Sequence, residues 1–210
     1  MNNPFIFNGY KSADLFFDRE KELEALINFI SSGINVTLIA QRRMGKTGLI
    51  YRLIDELNCN RHKVTPIYVD IFATRDIAEF NKSIANAIVK KFPNETSIGN
   101  KLFNMLKGLR PMFSIDPLSG SPQIQFSYQN QTEKEHTLEG LLMFLEQQDC
   151  PVLLAIDEFQ QIREYPESNV EALLRTYIQN LHNVIFIFCG SKKHMMTDIF
   201  SNPQRPFFSS

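Results

Sequence analysis

The apolar residues of this chain fall into short continuous runs, separated by longer stretches in which they recur at helical spacing. Four of the continuous runs are rich in Val and Ile, and they cover residues 36–40, 64–72, 152–156 and 184–189. Each run has the length of a strand that is buried on both faces, and a helical pattern follows it. This alternation predicts an α/β fold, in which a mainly parallel sheet lies between two layers of helices.

The helical segments are predicted from apolar residues that recur three and four positions apart. They lie at 19–30, 48–58, 76–92, 98–109, 133–148, 168–181 and 192–200. Polar residues able to cap a helix precede several of them, namely Asp18, Thr74 or Asp76, and the capping-box segment Ser168–Glu171. The last ten residues contain two prolines and are predicted to be extended.

One stretch departs from the α/β alternation. Phe113 and Ile115 alternate with polar residues, and Ile124 and Phe126 do so again after a turn that contains two prolines. This pattern predicts a β-hairpin, as part of an insertion at about residues 94–131. The insertion is either a partner contact or a decoration at the edge of the fold. Decoration is favoured, because additions vary freely on a fixed scaffold.

Composition narrows the class of protein. The 210 residues, 43% of them hydrophobic, suit a single domain over residues 1–210. The net charge of −1 gives no reason to expect nucleic-acid binding by this segment itself. Cys59, Cys150 and Cys189 lack metal-site spacing and are predicted to be buried free thiols in a reducing compartment. No signal peptide or membrane-spanning run is present, so a cytoplasmic protein without a membrane partner is expected.

The segment Val36–Thr47 joins the first predicted strand to a helix through a loop that ends in Gly45, Lys46 and Thr47. In this context the loop is expected to bind phosphate, because N–H groups at a helix N-terminus attract anions and Gly45 permits a close approach. Lys46 would reach the β- and γ-phosphates, and the Thr47 hydroxyl would bind Mg²⁺. Such loops open with Gly, but Ala40 stands there. The loop is therefore either in a conformation that Ala adopts or strained.

Two carboxylates, Asp157 and Glu158, follow the third apolar strand. Successive strand residues point to opposite sides, so the two are expected to have different partners. Asp157 would hold Mg²⁺ beside Thr47, and Glu158 would act on the attacking water as a general base or an orienting group. The alternative is that both are solvated carboxylates that cap the next loop. The carboxyl ends of parallel strands share one edge, which predicts a single site for these residues, the phosphate loop and Ser191.

Other polar residues near that edge keep more than one interpretation. Ser191 would touch the γ-phosphate or the attacking water, or cap the helix that begins there. Arg42 and Arg43 would contact phosphate, a neighbouring subunit or an acidic residue of their own domain, with an ion pair to the insertion or a helix favoured. The basic run Lys192–His194 is more typical of a solvated face than of a nucleic-acid contact.

Four segments resemble the archaeal-type ATPase family, whose ATPase domains are common in archaea and Bacteroidetes and belong to the STAND and AAA-like branch of P-loop NTPases. Phe17–Leu23 resembles the family's F-x-x-R-x-x-E-L opening, and Gln41–Thr47 resembles its G-x-R-R-x-G-K-T loop. Ile156–Gln160 resembles its I-D-E-F-Q strand end, and Gly190-Ser191 its G-S after the fourth strand. The resemblance implies a P-loop NTPase core of three α/β/α layers.

The resemblance also implies roles for individual residues. Lys46, Glu158 and Ser191 would be catalytic, with Ser191 as the sensor, and Thr47 and Asp157 would be the metal ligands. The segment around Phe17 and Arg19 would lie near the adenine. The nucleotide contacts so predicted are Phe17, Arg19, Ala40, Gln41, Arg42, Arg43, Met44, Gly45, Lys46, Thr47 and Gly48.

Family members are similar to origin-recognition initiators in their core, and they often continue into a helical lid and a winged-helix domain. This sequence stops soon after Phe207, so a fifth core strand, the lid and the winged helix are expected to be absent. The first strand would then lie near an exposed edge of the sheet.

Three functions follow as alternatives. The first is a Mg²⁺-ATP-binding ATPase that hydrolyses slowly and acts as a nucleotide-dependent switch. The second is a non-hydrolysing ATP-binding module that regulates a protein partner or self-association. The third is the ATPase core of a DNA-associated factor, with DNA bound only through a segment not present here. ATP is expected rather than GTP because an N-K-x-D base-reading motif is absent and because of the family resemblance.

Overall fold

The structure is a computed structural model that describes residues 10, 12, 13, 16, 18–59, 63–92, 111–115, 120 and 122–208. The elements, in chain order, are α1 (Glu20–Ser31), β1 (Val36–Ile39), α2 (Lys46–Cys59), β2 (Thr65–Asp70), α3 (Ile77–Lys91), β3 (Pro111–Ile115), β4 (Pro122–Phe126), α4 (Gln131–Glu146), β5 (Val152–Asp157), a 3-10 helix (Phe159–Glu164), α5 (Val170–Ile178), β6 (Val184–Gly190) and α6 (Lys193–Ser201). The helix predicted at 98–109 lies outside the described residues.

Four strands form one parallel sheet in the order β1-β6-β5-β2. All four correspond to the apolar runs of the sequence, which confirms the predicted fold class. The register sets Ile39 opposite Gly190 and Asp70 opposite Asp157. The carboxyl ends of the four strands therefore meet at one edge, and β1 lies at one end of the sheet.

The core divides into two clusters, one on each face of the sheet. Leu153 and Ala155 of β5 belong to the cluster under α1 and α2, whereas Leu154 and Ile156 belong to the cluster under α3, α4, α5 and α6. This strict alternation is what a strand buried on both faces requires. The result is the three-layer arrangement of helix, sheet and helix that the sequence predicts.

The predicted hairpin is present, with β3 and β4 paired antiparallel. Ile124 of β4 is fully buried, and its backbone N–H donates to Asn86 Oδ1 of α3 at 2.8 Å. The hairpin therefore packs on α3. The bounds of the whole insertion, 94–131, stay a prediction because residues 94–110 lie outside the described part of the chain.

The expectation of an extended chain end is wrong. Residues 202–208 run through consecutive turns, and the side chain of Phe207 is 0% exposed. Its ring centroid lies 5.6 Å from that of Phe159, 5.7 Å from Phe188 and 5.4 Å from Phe200. Burial of this ring bends the segment back onto the core, because an apolar ring gains more from burial than an extended chain gains from solvation.

One of the predicted helix caps is confirmed and two are wrong. Asp76 caps α3 by accepting the backbone N–H of Glu79 at 2.8 Å. Asp18 has φ 68° and does not cap α1, whose N-cap is Arg19 without a side-chain bond. The capping box fails because Glu171 turns toward Arg205, 3.4 Å away, instead of back to the helix start.

Two further observations concern the cysteines and the possibility of a membrane-spanning helix. Cys189 is buried as predicted, but Cys59 is exposed, so the expectation of three buried thiols is wrong. Within the part of the chain that the structure describes, no helix is both long and apolar enough to cross a membrane.

Candidate active site

The phosphate loop connects β1 to α2 across the carboxyl edge of the sheet. The backbone N–H of Ala40 donates to the Gly190 carbonyl at 3.3 Å, so the loop begins as a continuation of β1. The left-handed positions of the loop are Arg43, with φ 67°, and Gly45, with φ 70°. Ala40 therefore stands where no glycine is required. The guanidinium of Arg19 donates to the Met44 carbonyl and ties the loop to the start of α1.

Lys46 and Thr47 occupy the first turn of α2 and face the end of β5. The Lys46 side chain is 6% exposed, and its Nζ lies 3.9 Å from Asp157 Oδ1 and 4.0 Å from Glu158 Oε1. The Thr47 hydroxyl donates to Asp157 Oδ2 at 2.7 Å. The structure thus brings together two predicted site residues of α2 and two at the end of β5, with Thr47 and Asp157 110 residues apart in sequence.

The two carboxylates do not point to opposite sides, so that expectation is wrong. β5 ends at Asp157, and Glu158 takes a left-handed conformation with φ 56° and ψ 40°. This turn brings the Glu158 side chain back toward Lys46, on the same side as Asp157. The two carboxylates still differ in their partners, because Asp157 meets Thr47 whereas Glu158 meets the loop after β6.

Glu158 is held by two neutral donors. The Ser191 hydroxyl donates to Glu158 Oε2 at 2.7 Å, and the Gln160 amide donates to the same oxygen. The alternative of Ser191 as a helix cap is wrong, because α6 has Lys192 as its N-cap and lacks a side-chain cap bond. The role of Gln160 was not predicted, and its signal in the sequence is its place as the last residue of the I-D-E-F-Q segment.

A donor on β2 was also missed. The Tyr68 hydroxyl donates to Asp157 Oδ2 at 3.1 Å, on the oxygen that also accepts from Thr47. Burial raises the pKa of Tyr68 far above its usual value, and the negative charge of Asp157 adds to this, so the hydroxyl remains a donor. The signal in the sequence was a polar-tipped residue in the middle of an otherwise apolar strand.

Three carboxylates, those of Asp70, Asp157 and Glu158, lie near the buried Lys46 ammonium, whereas the loop arginines Arg42 and Arg43 are exposed. Asp70 lies opposite Asp157 in the β2–β5 pairing, and partial burial raises the pKa of its carboxyl, with Asp157 and Glu158 adding to the effect. Lys46 faces Asp157 and Glu158 from the first turn of α2. The described residues contain no group of three or more His, Cys, Asp or Glu suited to a resident metal. This balance fits a divalent cation that arrives with a phosphate ligand and supplies the missing positive charge.

Within the described residues, the loop arginines form none of the expected ion pairs, and an ion pair to residues 94–110 of the insertion stays a prediction. The guanidinium of Arg42 lies 5.5 Å from the ring centroid of Phe72, in a cation–π contact after β2. Neither Arg42 nor Arg43 makes an ion pair with a described residue, and both are exposed. Lys192, of the basic run, lies 3.7 Å from Glu164 in an exposed ion pair.

Phe17, predicted near the adenine, lies outside the described residues. Its neighbour Phe16 packs beside the start of α2, and a Cβ added at Gly48 would lie 3.2 Å from Phe16 Cε2. Counting F-x-x-R back from Arg19 also leads to Phe16. The aromatic position of the F-x-x-R pattern is therefore Phe16, and a place for Phe17 near the adenine stays a prediction.

Solved structures of several archaeal proteins share this fold. The Walker-type ATPase PABY2304 of Pyrococcus abyssi matches with 19% identity and a TM-score of 0.60, over 99% of this chain and 55% of its own. The Aeropyrum pernix ORC2 protein, in ADPNP–ADP complexes, matches with 18% identity and a TM-score of 0.54, over 97% and 48%. The Aeropyrum pernix ORC1 protein, in complex with DNA, matches with 15% identity and a TM-score of 0.51, over 87% and 43%.

This chain spans about half the length of these structures, and at such identities the likeness shows the fold alone. No curated protein matches the chain. A family model is more informative, because it matches residues 16–204 and so covers the phosphate loop, the carboxylate pair and Ser191. The chain therefore belongs to the family of ATPase domains found predominantly in Archaea.

Proposed function

We propose that this domain binds Mg²⁺-ATP and hydrolyses it slowly, as a nucleotide-dependent switch. The observation that carries the proposal is the position of Lys46, whose Nζ lies within 4.0 Å of Glu158 and 3.9 Å of Asp157 at the N-terminus of α2. A buried ammonium beside two carboxylates, next to a helix N-terminus, suits polyphosphate together with a divalent cation.

Each residue has a role in this proposal. The backbone of Ala40–Gly48 cradles the phosphates, and Lys46 binds the β- and γ-phosphates. Thr47 and Asp157 would hold Mg²⁺, which neutralises phosphate charge when bound. Glu158 orients the attacking water or accepts its proton, and Ser191 senses the γ-phosphate.

The surroundings of Glu158 support slow turnover. Glu158 Oε2 already accepts hydrogen bonds from Ser191 and Gln160, so the other oxygen, Oε1, which lies 4.0 Å from Lys46 Nζ, is the one left to act on water. The same contacts favour the second candidate, a non-hydrolysing ATP-binding module that regulates a protein partner or self-association.

A DNA-associated role, through a segment outside residues 1–210, rests on the fold likeness to an ORC1 protein in complex with DNA. A cytoplasmic location stays a prediction.

Nucleotide binding is tested by thermal unfolding. Ligand at a hundred times its Kd should stabilise the wild type by about 2.7 kcal/mol, which raises Tm by roughly 5–10 °C in a domain of this size. Lys46→Ala should remove the shift. Lys193→Ala, which changes an exposed lysine at the start of α6, should keep it. A wild type that shows no shift with Mg²⁺-ATP would contradict both nucleotide functions.

Hydrolysis is tested separately with Glu158→Gln. This variant keeps the size of the side chain and one oxygen that accepts hydrogen bonds, but it cannot take up a proton at neutral pH. It should show the wild-type thermal shift with Mg²⁺-ATP and release no phosphate above background. If the wild type binds ATP but releases no more phosphate than this variant, the non-hydrolysing module is the correct function.

A further inference from the structure

Tyr68 lies in β2, two residues before the end of the strand. The register places Ala155 opposite Tyr68 and Asp157 opposite Asp70, so Asp157 is the diagonal neighbour of Tyr68 on the adjacent strand. Diagonal neighbours are within reach of an aromatic side chain. Tyr68 packs against the core cluster under α1 and α2, which is the face of the sheet that Lys46 and Thr47 occupy.

The Asp157 carboxylate is held from three directions. Oδ2 accepts from the Thr47 hydroxyl at 2.7 Å and from the Tyr68 hydroxyl at 3.1 Å. Oδ1 accepts from the backbone N–H of Glu158 at 2.9 Å. These donors come from α2, β2 and the turn after β5. Together they fix the rotation of the Asp157 carboxylate about its Cβ–Cγ bond.

Tyr68 is itself held in place. Its ring centroid lies 4.8 Å from that of Tyr51, which follows Thr47 by four residues on α2. Residues four apart lie on the same face of a helix, so one face of α2 presents both Thr47 and Tyr51 to the sheet. These contacts form a closed chain: Thr47 bonds Asp157, Asp157 bonds Tyr68, Tyr68 packs on Tyr51, and Tyr51 shares a helix face with Thr47.

We propose that Tyr68 is a positioning residue for metal binding, which acts through Asp157. Its hydroxyl keeps the carboxylate in the orientation that Mg²⁺ needs when it enters with the nucleotide. The inference rests on the proposed function, and it deepens the assignment of Asp157. Hydrogen-bond partners of metal ligands typically change metal affinity by about 10–100-fold when they are removed.

The test is Tyr68→Phe, which removes the hydroxyl and keeps the ring. Two quantities are measured with a non-hydrolysable ATP analogue: its Kd in EDTA by calorimetry, and the Mg²⁺ concentration that gives half of the thermal shift at saturating analogue. The Mg²⁺ midpoint should rise by about 10–100-fold. The Kd in EDTA should stay within about twofold, because the phosphate contacts of Lys46 and the loop are untouched.

Tyr177→Phe is the matched control. This hydroxyl also donates one hydrogen bond, to the Glu135 carbonyl at 3.4 Å, but on the opposite face of the sheet. The Tyr177→Phe variant should change neither the Kd in EDTA nor the Mg²⁺ midpoint. An unchanged Mg²⁺ midpoint in Tyr68→Phe would overturn the inference and leave the proposed function standing.

Two other results would also overturn the inference. Equal weakening with and without Mg²⁺, or a Tyr68→Phe protein that does not fold, would show that the hydroxyl serves packing alone. A wild type that binds no analogue would defeat the proposed function and this inference with it. The ligand-free Tm of each variant separates these cases.

Discussion

At the scale of single residues, the candidate site depends on backbone conformations that most side chains avoid. Glu158 sits at φ 56° and Arg43 at φ 67°, in a region that costs a non-glycine residue about 1–2 kcal/mol. For Glu158, hydrogen bonds from Ser191 and Gln160 and the charge of Lys46 offset this cost. The strain aims the Glu158 carboxylate at Lys46 instead of along the strand.

Gly190 gives a prediction at this scale. A Cβ added there would lie 2.3 Å from Met196 Cγ and 2.5 Å from Gln160 Oε1. Gly190→Ala should therefore destabilise the fold by about 1–3 kcal/mol in urea unfolding, because the crowded side chains must shift. It should also change the rate of ATP hydrolysis, because Gln160 holds Glu158.

Gly33→Ala separates the two effects. Gly33 has φ 70° and no atom within 4 Å of an added Cβ, so only backbone strain is introduced. The strain should cost about 1–2 kcal/mol of stability without any change in hydrolysis. If Gly190→Ala left both stability and hydrolysis at their wild-type values, the close packing around Gly190 would be contradicted.

The grouping of Lys46, Thr47 and Asp157 could be predicted from the sequence because each residue stands in a local motif. Lys46, Thr47 and Asp157 each follow from a strand, a loop and their spacing. Tyr68 and Gln160 could not be predicted, because their partners depend on strand register and on the turn after β5. Hydrophobic periodicity shows which face of a strand is buried. It shows neither the register of the strand against its neighbours nor the conformation of the turn that follows it.

At the scale of elements, the apolar periodicity located the strands and the α-helices of the described residues but not the 3-10 helix, and the ends of helices depend on competing partners. Asp76 caps α3 by accepting the backbone N–H of Glu79, and it makes no ion pair with a described residue. Glu171 does not complete a capping box, because Arg205 lies 3.4 Å from it across the fold. A local signal for a helix start is thus reliable only when the tertiary structure leaves it free.

The cap of α3 can be measured. Asp76→Ala removes the acceptor for the Glu79 N–H, a bond of 2.8 Å, and should destabilise the protein by about 1 kcal/mol in urea unfolding. Asn169→Ala is the matched control at the start of α5, where the N-cap side chain makes no cap bond. It should change stability by less than about 0.5 kcal/mol. If both variants lost the same free energy of unfolding, the distinction between a capped α3 and an uncapped α5 would be refuted.

At the scale of the whole molecule, residues 202–208 return to the sheet beside the turn that carries Glu158. Phe207 contacts Phe159, and Phe159 directly follows Glu158. Arg205 pairs with Asp198 of α6 at 3.0 Å and with Glu171 of α5. The sequence could not predict this, because two prolines suggest extended chain and the contacts join residues far apart in sequence.

Phe207 and its neighbour Phe208 form a natural pair for comparison. Phe207 is 0% exposed and Phe208 is 41% exposed. Phe207→Ala should destabilise the protein by about 3–5 kcal/mol, because it leaves a cavity among aromatic rings. Phe208→Ala should cost less than about 1 kcal/mol. Urea unfolding measures both changes in the free energy of unfolding. Similar losses in the two variants would contradict the buried position of Phe207.

The ion-pair network of the chain end predicts a pH dependence. A hydrogen bond from Asn202, together with Arg205 and Arg163, lowers the pKa of Asp198 below its usual value. A lowered folded-state pKa adds stability above the pKa of the unfolded chain, and this is lost as the pH falls through the folded-state pKa. Asp198→Asn should therefore be less stable than wild type at pH 7, and the difference should vanish in strong acid.

Thermal unfolding from pH 7 down to pH 2 measures that difference. Asp149→Asn serves as the control, because Asp149 is exposed and makes no ion pair with a described residue. Its difference from wild type should stay flat over the same range. A flat difference for Asp198→Asn as well would show that the network does not stabilise the fold.

The position of β1 at one end of the sheet has a consequence for hydrogen exchange. Successive backbone N–H groups of a strand point to opposite edges. The Ala40 N–H faces β6 and donates to Gly190, so the amides of Thr37 and Ile39 face away from β6. The amides of Leu38 and Ala40 should exchange slowly, and those of Thr37 and Ile39 quickly. Any strand that adds to this edge, from a partner or from another part of the protein, should then be seen directly as new protection at Thr37 and Ile39.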